Sequence, residues 1–396
     1  MTKSVDILVI GGGVMGVSIA YHLAQRKMGK ILLLERASLA SGSTGRSVAS
    51  IDSLTFRPSA TELYARSFEF FQNFTSILGE GCGFTQTGSL ILAGKEEESM
   101  LRDAVERMQA IGLDVNLLNN LAEFNALEPS ATSEKVAAVS YAPKAGYADP
   151  VLTTQAFAKA AQRMGVDIQS GRNVIKLRSV GRKITGVETE RGFISASVII
   201  IAAGPQSGSL LRPLGVEINF KTLRHPVACL RRPHNFGKAH YSVLDLINGV
   251  YARPDNGSLS IFGSIDTTVG YDPADPDDNH GGIPNEYVLW ASERLVKRYP
   301  RLETSILCKG WSGILMVSPD WLPVIGAVED YSGLYCATGF SGQGFQVSPA
   351  VGDLLASQIA GEDNAKRLLK PFSPTRFLAG KKTESSYESI SLGLSG

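Results

Sequence analysis

A glycine run near the amino terminus is the first group of residues whose spacing suggests a chemical role. Gly11, Gly13 and Gly16 form a Gly-x-Gly-x-x-Gly pattern between an apolar segment and a helical one. Gly11 permits a tight turn, Gly13 lets the backbone approach a pyrophosphate, and Gly16 lets a helix pack closely on a sheet. Val14 and Met15 begin that helix, whose N–H groups and positive dipole end favour phosphate. Alone, the pattern is equally consistent with a structural turn.

Glu35 strengthens the nucleotide interpretation. It follows a second apolar segment, Ile31 to Leu34, about 20 residues after the glycines. A carboxylate at this point accepts hydrogen bonds from an adenosine ribose and repels a 2′-phosphate. With Arg36 beside it, Glu35 predicts a dinucleotide site, although the combined pattern does not distinguish FAD from NAD.

Two further polar segments extend the predicted site. The segment of residues 41–47 is small and polar, and it is either a flexible surface loop or a second phosphate contact. A second glycine turn, residues 339–345, follows an apolar strand and precedes a helix expected to begin near Pro349. A helix start can direct N–H groups at a ring that gains negative charge on reduction, which a flavin does and a nicotinamide does not. The candidate contacts in these segments are Ser43, Thr44, Arg46, Ser47, Gly342, Gln343, Gly344 and Phe345.

The elements that must position these residues follow an alternating pattern. A strand at Val5 to Ile10, a helix at Val14 to Gln25 and a strand at Ile31 to Leu34 form a βαβ unit, which implies a parallel sheet. A continuous apolar run from Val198 to Ala202 predicts a central parallel strand, and Gly204 after it is a further candidate cofactor contact.

The middle of the chain has a different pattern. Helices are predicted at Thr61 to Leu78 and Val151 to Met164. From Leu223 to Met316 the pattern is β-rich, with one helix at Asn285 to Arg298. The sequence therefore predicts an α/β fold, with a Rossmann-like domain on a parallel sheet and an α+β second domain on an antiparallel sheet.

Composition excludes several classes of function. The 396 residues carry a net charge of +1, which gives no global attraction to nucleic acid or to anionic membrane. Apolar segments are too short for an integral membrane span, and a cytoplasmic location is the default expectation. The four cysteines lack metal-site spacing, and we expect no metal. The acidic segment Asp272 to His280 is interpreted as a solvated loop in preference to a lid or metal site.

Six segments in order resemble the D-amino-acid oxidase superfamily of flavoproteins. They are GGGVMG, LLLERASLASGSTGRS, AGYADPVLTTQAFAKAA, VIIIAAGPQS, WSGILMVSPDWLPVIG and GLYCATGFSGQGFQVSPAVG. Within the family, the sequence is most similar to glycine oxidase, the sarcosine oxidase β subunit, and the β subunits of opine and hydroxyproline dehydrogenases. The resemblance is colinear from Asp6 to about Phe377.

The resemblance implies a discontinuous FAD-binding domain of residues 1–84, 146–220 and 318–378. Residues 85–145 and 221–317 would form the substrate-binding domain, and 379–396 a disordered tail. It also implies noncovalent FAD, with Val174 meeting adenine through its backbone. The implied reaction is hydride transfer from the carbon of a C–N bond in an amino acid or secondary amine to flavin N5, giving an imine that hydrolyses. The electron acceptor would be O₂, a quinone or a partner subunit of a hetero-oligomer.

Substrate anchors are the least determined part of the predicted site. Tyr251, Arg253 and Arg57 are candidate catalytic residues, and the arginines could pair with a substrate carboxylate. Tyr251 either reaches the pocket or packs in the core, and His225 either lines the pocket or is structural. Glycine oxidase has an arginine two positions after its Trp-x-Gly motif, whereas Ile314 and Leu315 follow that motif here. Glycine is therefore not expected as the substrate. The resemblance also places the oxygen-activating lysine of monomeric sarcosine oxidase within residues 260–262, which contain no lysine, so a dehydrogenase is favoured over an oxidase.

Overall fold

The fold is taken from a computed structural model that describes residues 3–278 and 281–378. The predicted disordered tail, residues 379–396, lies outside the described residues. No helix in the described ranges is long and apolar enough to cross a membrane.

The helices and strands of the described residues run along the whole chain. The α-helices are α1 (Val14–Gln25), α2 (Thr61–Gln72), α3 (Phe74–Leu78), α4 (Glu98–Ala110), α5 (Leu121–Leu127), α6 (Pro150–Arg163), α7 (Ser207–Leu211), α8 (Asn285–Arg298), α9 (Gly344–Ala360), α10 (Asp363–Leu369) and α11 (Thr375–Leu378). Short 3-10 helices lie at Thr44–Arg46, Pro58–Ala60, Gly204–Gln206, Arg212–Leu214, His234–Phe236, Pro300–Thr304 and Lys370–Phe372. The strands are β1 (Lys3–Ile10), β2 (Ile31–Leu34), β3 (Ser50–Ile51), β4 (Thr85–Gln86), β5 (Ser89–Ala93), β6 (Asn116–Leu117), β7 (Ala138–Ala142), β8 (Gly146–Tyr147), β9 (Asp167–Gln169), β10 (Val174–Val180), β11 (Lys183–Thr189), β12 (Gly192–Ile201), β13 (Lys221–Arg231), β14 (Ser242–Asp245), β15 (Val250–Pro254), β16 (Leu259–Ser264), β17 (Asp272–Pro273), β18 (Ile306–Val317), β19 (Val324–Ala327) and β20 (Leu334–Thr338).

The first sheet has a parallel centre, as the βαβ pattern predicts. Strands β9, β2, β1 and β12 lie side by side and parallel, and β20 pairs in parallel with the carboxyl end of β12. The residues of β2 are all buried, which is typical of strands covered on both faces. Strands β10, β11 and β19 join the sheet in antiparallel fashion.

A layer of helices covers one face of the first sheet. Helix α1 packs between α6 and α9, and their apolar side chains form one core with Phe157, Val351 and Leu354. The contact between α1 and α9 is close because Gly352 has no side chain. A Cβ atom at Gly352 would lie 2.3 Å from Ser18 Oγ.

The second sheet is antiparallel at every pair except β5 and β14, which are parallel. Its strand order is β17-β13-β16-β15-β14-β5-β7-β6, with β18 also paired along β13. Helix α8 covers it with Tyr287, Ala291 and Leu295, which belong to the same apolar cluster as Phe262 and Leu230. A small third sheet consists of β3, β8 and β4.

The predicted α/β fold with an antiparallel second sheet is therefore confirmed. The first sheet takes its strands from residues 3–34, 167–201 and 324–338, and the second takes them from 89–142 and 221–317. This distribution agrees with a discontinuous first domain, although the boundaries themselves stay a prediction.

Two predicted helices differ from the observed ones. The helix expected from Thr61 to Leu78 is divided at Asn73 into α2 and α3. The helix expected near Pro349 begins earlier, at Gly344, and Pro349 lies inside it. A proline has no N–H for the carbonyl four residues before it. Here that carbonyl, of Phe345, accepts a hydrogen bond from the Ser348 hydroxyl at 2.8 Å, so the helix continues through the proline.

Candidate active site

A single cavity of about 1180 Å³ lies at the carboxyl ends of β1, β2 and β12 and extends to the second sheet. It is larger than the roughly 300–1,000 Å³ usual for a small-ligand pocket. The edge at the carboxyl ends of parallel strands is where open α/β sheets bind their ligands. The cavity therefore has the position and size for a dinucleotide together with a small substrate.

The glycine turn of residues 11–16 forms the wall at the start of α1. Gly11 has a φ of +113°, and a Cβ atom there would lie 2.3 Å from the carbonyl oxygen of Ala202. A Cβ atom at Gly16 would lie 1.9 Å from the carbonyl oxygen of Gly11, so Gly16 sets the contact between α1 and β1. Gly13, Val14 and Met15 line the cavity, whereas Gly16 packs beneath it.

Glu35 lies at one end of the cavity, held by backbone N–H groups. Its Oε2 accepts a hydrogen bond from Gly12 N at 2.6 Å, and its Oε1 accepts one from Ala37 N at 2.8 Å. The buried Nε of Arg172 also lies in the cavity wall and makes no hydrogen bond with any described residue. A carboxylate and a guanidinium donor with remaining capacity fit the ribose and base of an adenosine.

The loop after Glu35 connects this end to the second sheet. The Thr44 hydroxyl accepts a hydrogen bond from Val14 N at 3.2 Å, which places Thr44 over the helix start. Ser43 donates to the carbonyl oxygen of Ile314 at 2.5 Å, and Trp311 Nε1 donates to the Arg46 carbonyl oxygen at 2.9 Å. The predicted contacts all line the cavity: Ser43, Thr44, Arg46, Ser47, Val174 and Gly204.

The second glycine turn leads directly into α9. Gly342 has a φ of +98°, and the cavity wall includes Gly342, Gln343, Gly344 and Phe345. Tyr64 donates a hydrogen bond to Gln343 Oε1 at 2.6 Å, which orients this buried amide. The first N–H groups of a 17-residue helix thus lie at the cavity, where their dipole favours negative charge.

Three aromatic side chains also line the cavity: His225 on β13, Tyr251 on β15 and Tyr271 just before β17. His225 Nε2 and the Tyr251 hydroxyl are 3.2 Å apart, and the Tyr271 ring centroid lies 4.8 Å from that of His225. Burial lowers the pKa of His225 to about 4, so the imidazole is neutral at pH 7. Burial also raises the pKa of the Tyr251 hydroxyl well above its ordinary value. The pair therefore presents uncharged hydrogen-bonding groups to the cavity.

Two predicted substrate anchors do not line the cavity. Arg253 donates from Nε to the Val48 carbonyl oxygen at 2.7 Å, pairs with Asp255 at 3.1 Å, and stacks on the Tyr147 ring at 3.9 Å. Nε and Nη1 of Arg253 are thus bound to groups of the protein, and its proposed role with the substrate stays a prediction. Arg57 precedes the short helix Pro58–Ala60 and is also absent from the cavity wall.

Several cavity residues were not predicted. Asp52 follows β3, Ser89 begins β5, and Gln346 lies one position after the predicted turn. The two-residue strand β3 is too short to show any periodicity, so no sequence signal identified Asp52. The acidic segment expected to be a solvated loop also reaches the site. Its Asp277 lines the cavity and pairs with Arg36.

The residues present fit FAD. The glycine turn and Glu35 suit an ADP half, and the start of α9 suits a ring that becomes negative on reduction. Among the described residues, no group of histidine, cysteine and carboxylate side chains could hold a metal ion.

Comparisons with known proteins agree with this fit. The family profile described as "FAD dependent oxidoreductase" (DAO) matches residues 6–358. A protein named sarcosine oxidase subunit beta, from Arthrobacter sp, is 29% identical over 395 residues, covering 96% of this chain and 92% of that protein. Glycine oxidase from Geobacillus kaustophilus (strain HTA426) is 26% identical, covering 96% and 98%.

Solved structures show the same relationship. The crystal structure of L-proline dehydrogenase from P. horikoshii superposes with a TM-score of 0.86 at 26% identity, covering 96% of this chain and 100% of that one. The family profile spans most of the chain, including both glycine turns and both large sheets. The chain therefore belongs to the DAO family and is an FAD-dependent oxidoreductase.

Proposed function

We propose that this protein oxidises the C–N bond of an amino acid or a related small amine. The substrate loses a hydride from the carbon and a proton from the nitrogen, and water hydrolyses the resulting imine to a carbonyl compound and an amine or ammonia. An amino acid would give an oxo acid. When bound, FAD supplies the acceptor for the hydride.

The observation that carries this proposal is the composition of the cavity. One continuous space includes the two glycine turns and the neutral His225–Tyr251 pair. The relatives named sarcosine oxidase subunit beta and glycine oxidase, and the solved L-proline dehydrogenase, carry the names of small amino acids. A cavity wall with neutral donors suits a substrate bound as the uncharged amine, which needs no general base.

We assign the following roles to the cavity residues. The ADP half of FAD would lie against Gly11, Gly13 and Glu35, and the pyrophosphate near Ser43, Thr44 and Ser47. The residues from Gly342 to Phe345 would lie beside the flavin ring. Tyr251 and His225 would orient the substrate through their shared hydrogen bond.

A second candidate is the catalytic subunit of a hetero-oligomer. The relative from Arthrobacter sp is named as a subunit. Ile306 and Leu307, at the start of β18, are 63% and 49% exposed, which is unusual for adjacent large apolar residues. A partner chain covering this edge and accepting the electrons would account for both observations.

The first experiment is anaerobic mixing of the purified holoprotein with sarcosine, D-amino acids, proline derivatives, opines and diamines, followed at 450 nm. We expect one class to bleach the flavin absorbance. Fast recovery in air would favour an oxidase, and slow recovery with copurifying smaller subunits would favour the hetero-oligomer. Bound flavin that no amine reduces, even after addition of copurified subunits, would contradict the proposed reaction.

A further inference from the structure

Asp52 is a carboxylate in the cavity wall that the assigned roles leave unused. Its Oδ2 accepts a hydrogen bond from the Ser89 hydroxyl at 2.6 Å, and its Oδ1 accepts a longer one from Leu54 N at 3.3 Å. A carboxylate offers about four acceptor positions. Asp52 therefore keeps the capacity to accept hydrogen bonds from a group inside the cavity. Burial raises the pKa of Asp52, against the hydrogen bonds from Ser89 and the backbone, which lower it.

The side chains that form hydrogen bonds with Asp52 are polar and uncharged. Ser89 lies opposite Ser242 in the register of β5 and β14, and both serines are almost completely buried. The Ser242 hydroxyl forms a hydrogen bond with the Thr87 hydroxyl at 2.9 Å. Gln346 Oε1 accepts a hydrogen bond from Asp52 N at 3.3 Å, and its Nε2 donates to Tyr64 at 3.0 Å. We call Asp52, Ser89, Ser242 and Gln346 the acidic end of the cavity. These side chains are held in place, because each of them forms a hydrogen bond with another group of the protein.

No basic side chain among the described residues of the cavity wall forms a hydrogen bond with Asp52. Within the described residues, the arginines and lysines that line the cavity are Arg36, Arg46 and Arg172. Arg36 pairs with Asp277, and Arg46 donates to the carbonyl oxygens of Ser41 and Gly42. Arg172 lies beside Glu35, since its backbone N–H donates to the Glu35 carbonyl oxygen at 2.8 Å. Asp52 would therefore repel a substrate carboxylate at the acidic end, and none of these three arginines would compensate that repulsion.

Neighbouring strands of the second sheet connect the acidic end with the His225–Tyr251 pair. Leu244 lies opposite Tyr251 across β14 and β15, and it follows Ser242 by two residues on β14. Residues two apart on a strand share a face and lie about 7 Å apart. Asp52, His225 and Tyr251 all line the same cavity, so one ligand in that cavity can contact both the aromatic pair and Asp52.

We propose that Asp52 is a specificity-determining residue that binds a protonated nitrogen of the substrate. The preferred substrates are then amines that carry a second, cationic nitrogen where an amino acid carries its carboxylate. An ammonium group would form a charge-assisted hydrogen bond with Asp52. This inference rests on the proposed oxidation of an amine, and it narrows the substrate class.

A matched pair of probes tests the inference. N-methylglycine and N-methylethane-1,2-diamine share a secondary methylamine and differ in bearing a carboxylate or an ammonium group. Binding to the anaerobic holoprotein is measured from the perturbation of flavin absorbance, and reduction from the loss of absorbance at 450 nm. We expect the wild-type protein to bind the diamine at least about tenfold more tightly.

The variant Asp52→Asn removes the charge and keeps the side-chain size. We expect it to retain FAD, to lose at least about tenfold in affinity for the diamine, and to bind N-methylglycine as well as or better than the wild-type protein does. Asp363→Asn is the matched control, because the Asp363 side chain is 97% exposed. An equal change for both probes in Asp52→Asn would indicate a structural role and overturn the inference.

The two proposals fail in different ways. If the diamine binds through Asp52 but no amine reduces the flavin, the proposed reaction fails and the binding role stands. If amines reduce the flavin but the wild-type protein prefers N-methylglycine, or binds neither probe, the role of Asp52 fails. The comparison of the two probes uses only the wild-type protein, so it tests the role of Asp52 even if the Asp52→Asn variant does not fold.

Discussion

At the scale of single residues, Glu35 links the sequence pattern to the cofactor. Its carboxylate is oriented by the N–H groups of Gly12 and Ala37 and faces the cavity. Hydrogen bonds to a charged group contribute about 1.5–3 kcal/mol each. Loss of this carboxylate should therefore weaken FAD binding more than any single neutral contact would.

We expect Glu35→Arg to weaken FAD binding by at least about tenfold, because the substitution removes the acceptor and adds a cation beside Arg36 and Arg172. The measurement is the flavin-to-protein ratio after purification, followed by titration of the apoprotein with FAD. Glu190→Arg, the same change at an exposed position, is the control. A purified Glu35→Arg protein with full flavin and unchanged affinity would refute the assignment.

Some site residues could be predicted from sequence and others could not. The spacing of the glycines and Glu35 is set by one local βαβ unit, so their positions can be predicted without knowing the contacts between distant segments. Asp52 and Arg172 enter the cavity through contacts between distant segments, and neither has a local pattern. Arg253 shares a strand face with Tyr251, but it lies farther along β15, where it meets Val48 and Tyr147 instead of the cavity.

At the scale of elements, the contact between α1 and β1 depends on one glycine. The hypothetical Cβ atom of Gly16 meets a backbone oxygen at 1.9 Å, and a backbone atom cannot move aside as a flexible side chain can. The start of α1 is also the wall of the cavity. Displacing the helix should therefore affect both stability and FAD binding.

We expect Gly16→Ala to destabilise the protein by about 2 kcal/mol or more and to reduce its flavin content, because overpacking at this contact shifts α1. Thermal unfolding and the flavin-to-protein ratio are the measurements. Gly42→Ala is the matched control, since a Cβ atom at Gly42 has no neighbour within 4 Å. Equal melting temperatures for the two variants would contradict this account of the helix contact.

Element bounds were predictable where the chain is strongly apolar. Helix α1 and strand β2 begin and end as predicted, because buried residues follow one another without interruption. The third sheet could not be predicted, since its strands have two residues each. The start of α9 was misplaced because Pro349 resembles a helix start, whereas the Ser348 hydroxyl compensates for its missing N–H.

At the scale of the whole molecule, buried titratable groups make stability depend on pH in two opposite ways. Burial lowers the pKa of His22, His225 and His240 to about 4. Between pH 6.5 and 4 the unfolded chain binds protons at these histidines that the folded chain does not, so their contribution to stability falls as the pH falls. Burial raises the pKa of Glu128 to about 7. The folded chain holds that proton between pH 4.5 and 7, so the contribution of Glu128 falls as the pH rises.

Glu128 allows a direct test of this balance in the core of the second sheet. The side chain is 3% exposed, and its Oε2 accepts a hydrogen bond from Tyr241 N at 2.9 Å, which a glutamine oxygen can also accept. Glu128→Gln removes the cost of ionising a buried carboxyl. We therefore expect the stability of this variant relative to the wild-type protein to increase by on the order of 3 kcal/mol between pH 5 and pH 8.

Urea unfolding of both proteins at pH 5 and pH 8 measures this difference, with the holoprotein saturated with FAD so that cofactor binding is constant. Glu106→Gln, an exposed position on α4, is the control and should show no such change between the two pH values. A Glu128→Gln difference that is the same at pH 5 and pH 8 would mean that the Glu128 carboxyl ionises in the folded protein as it does in water.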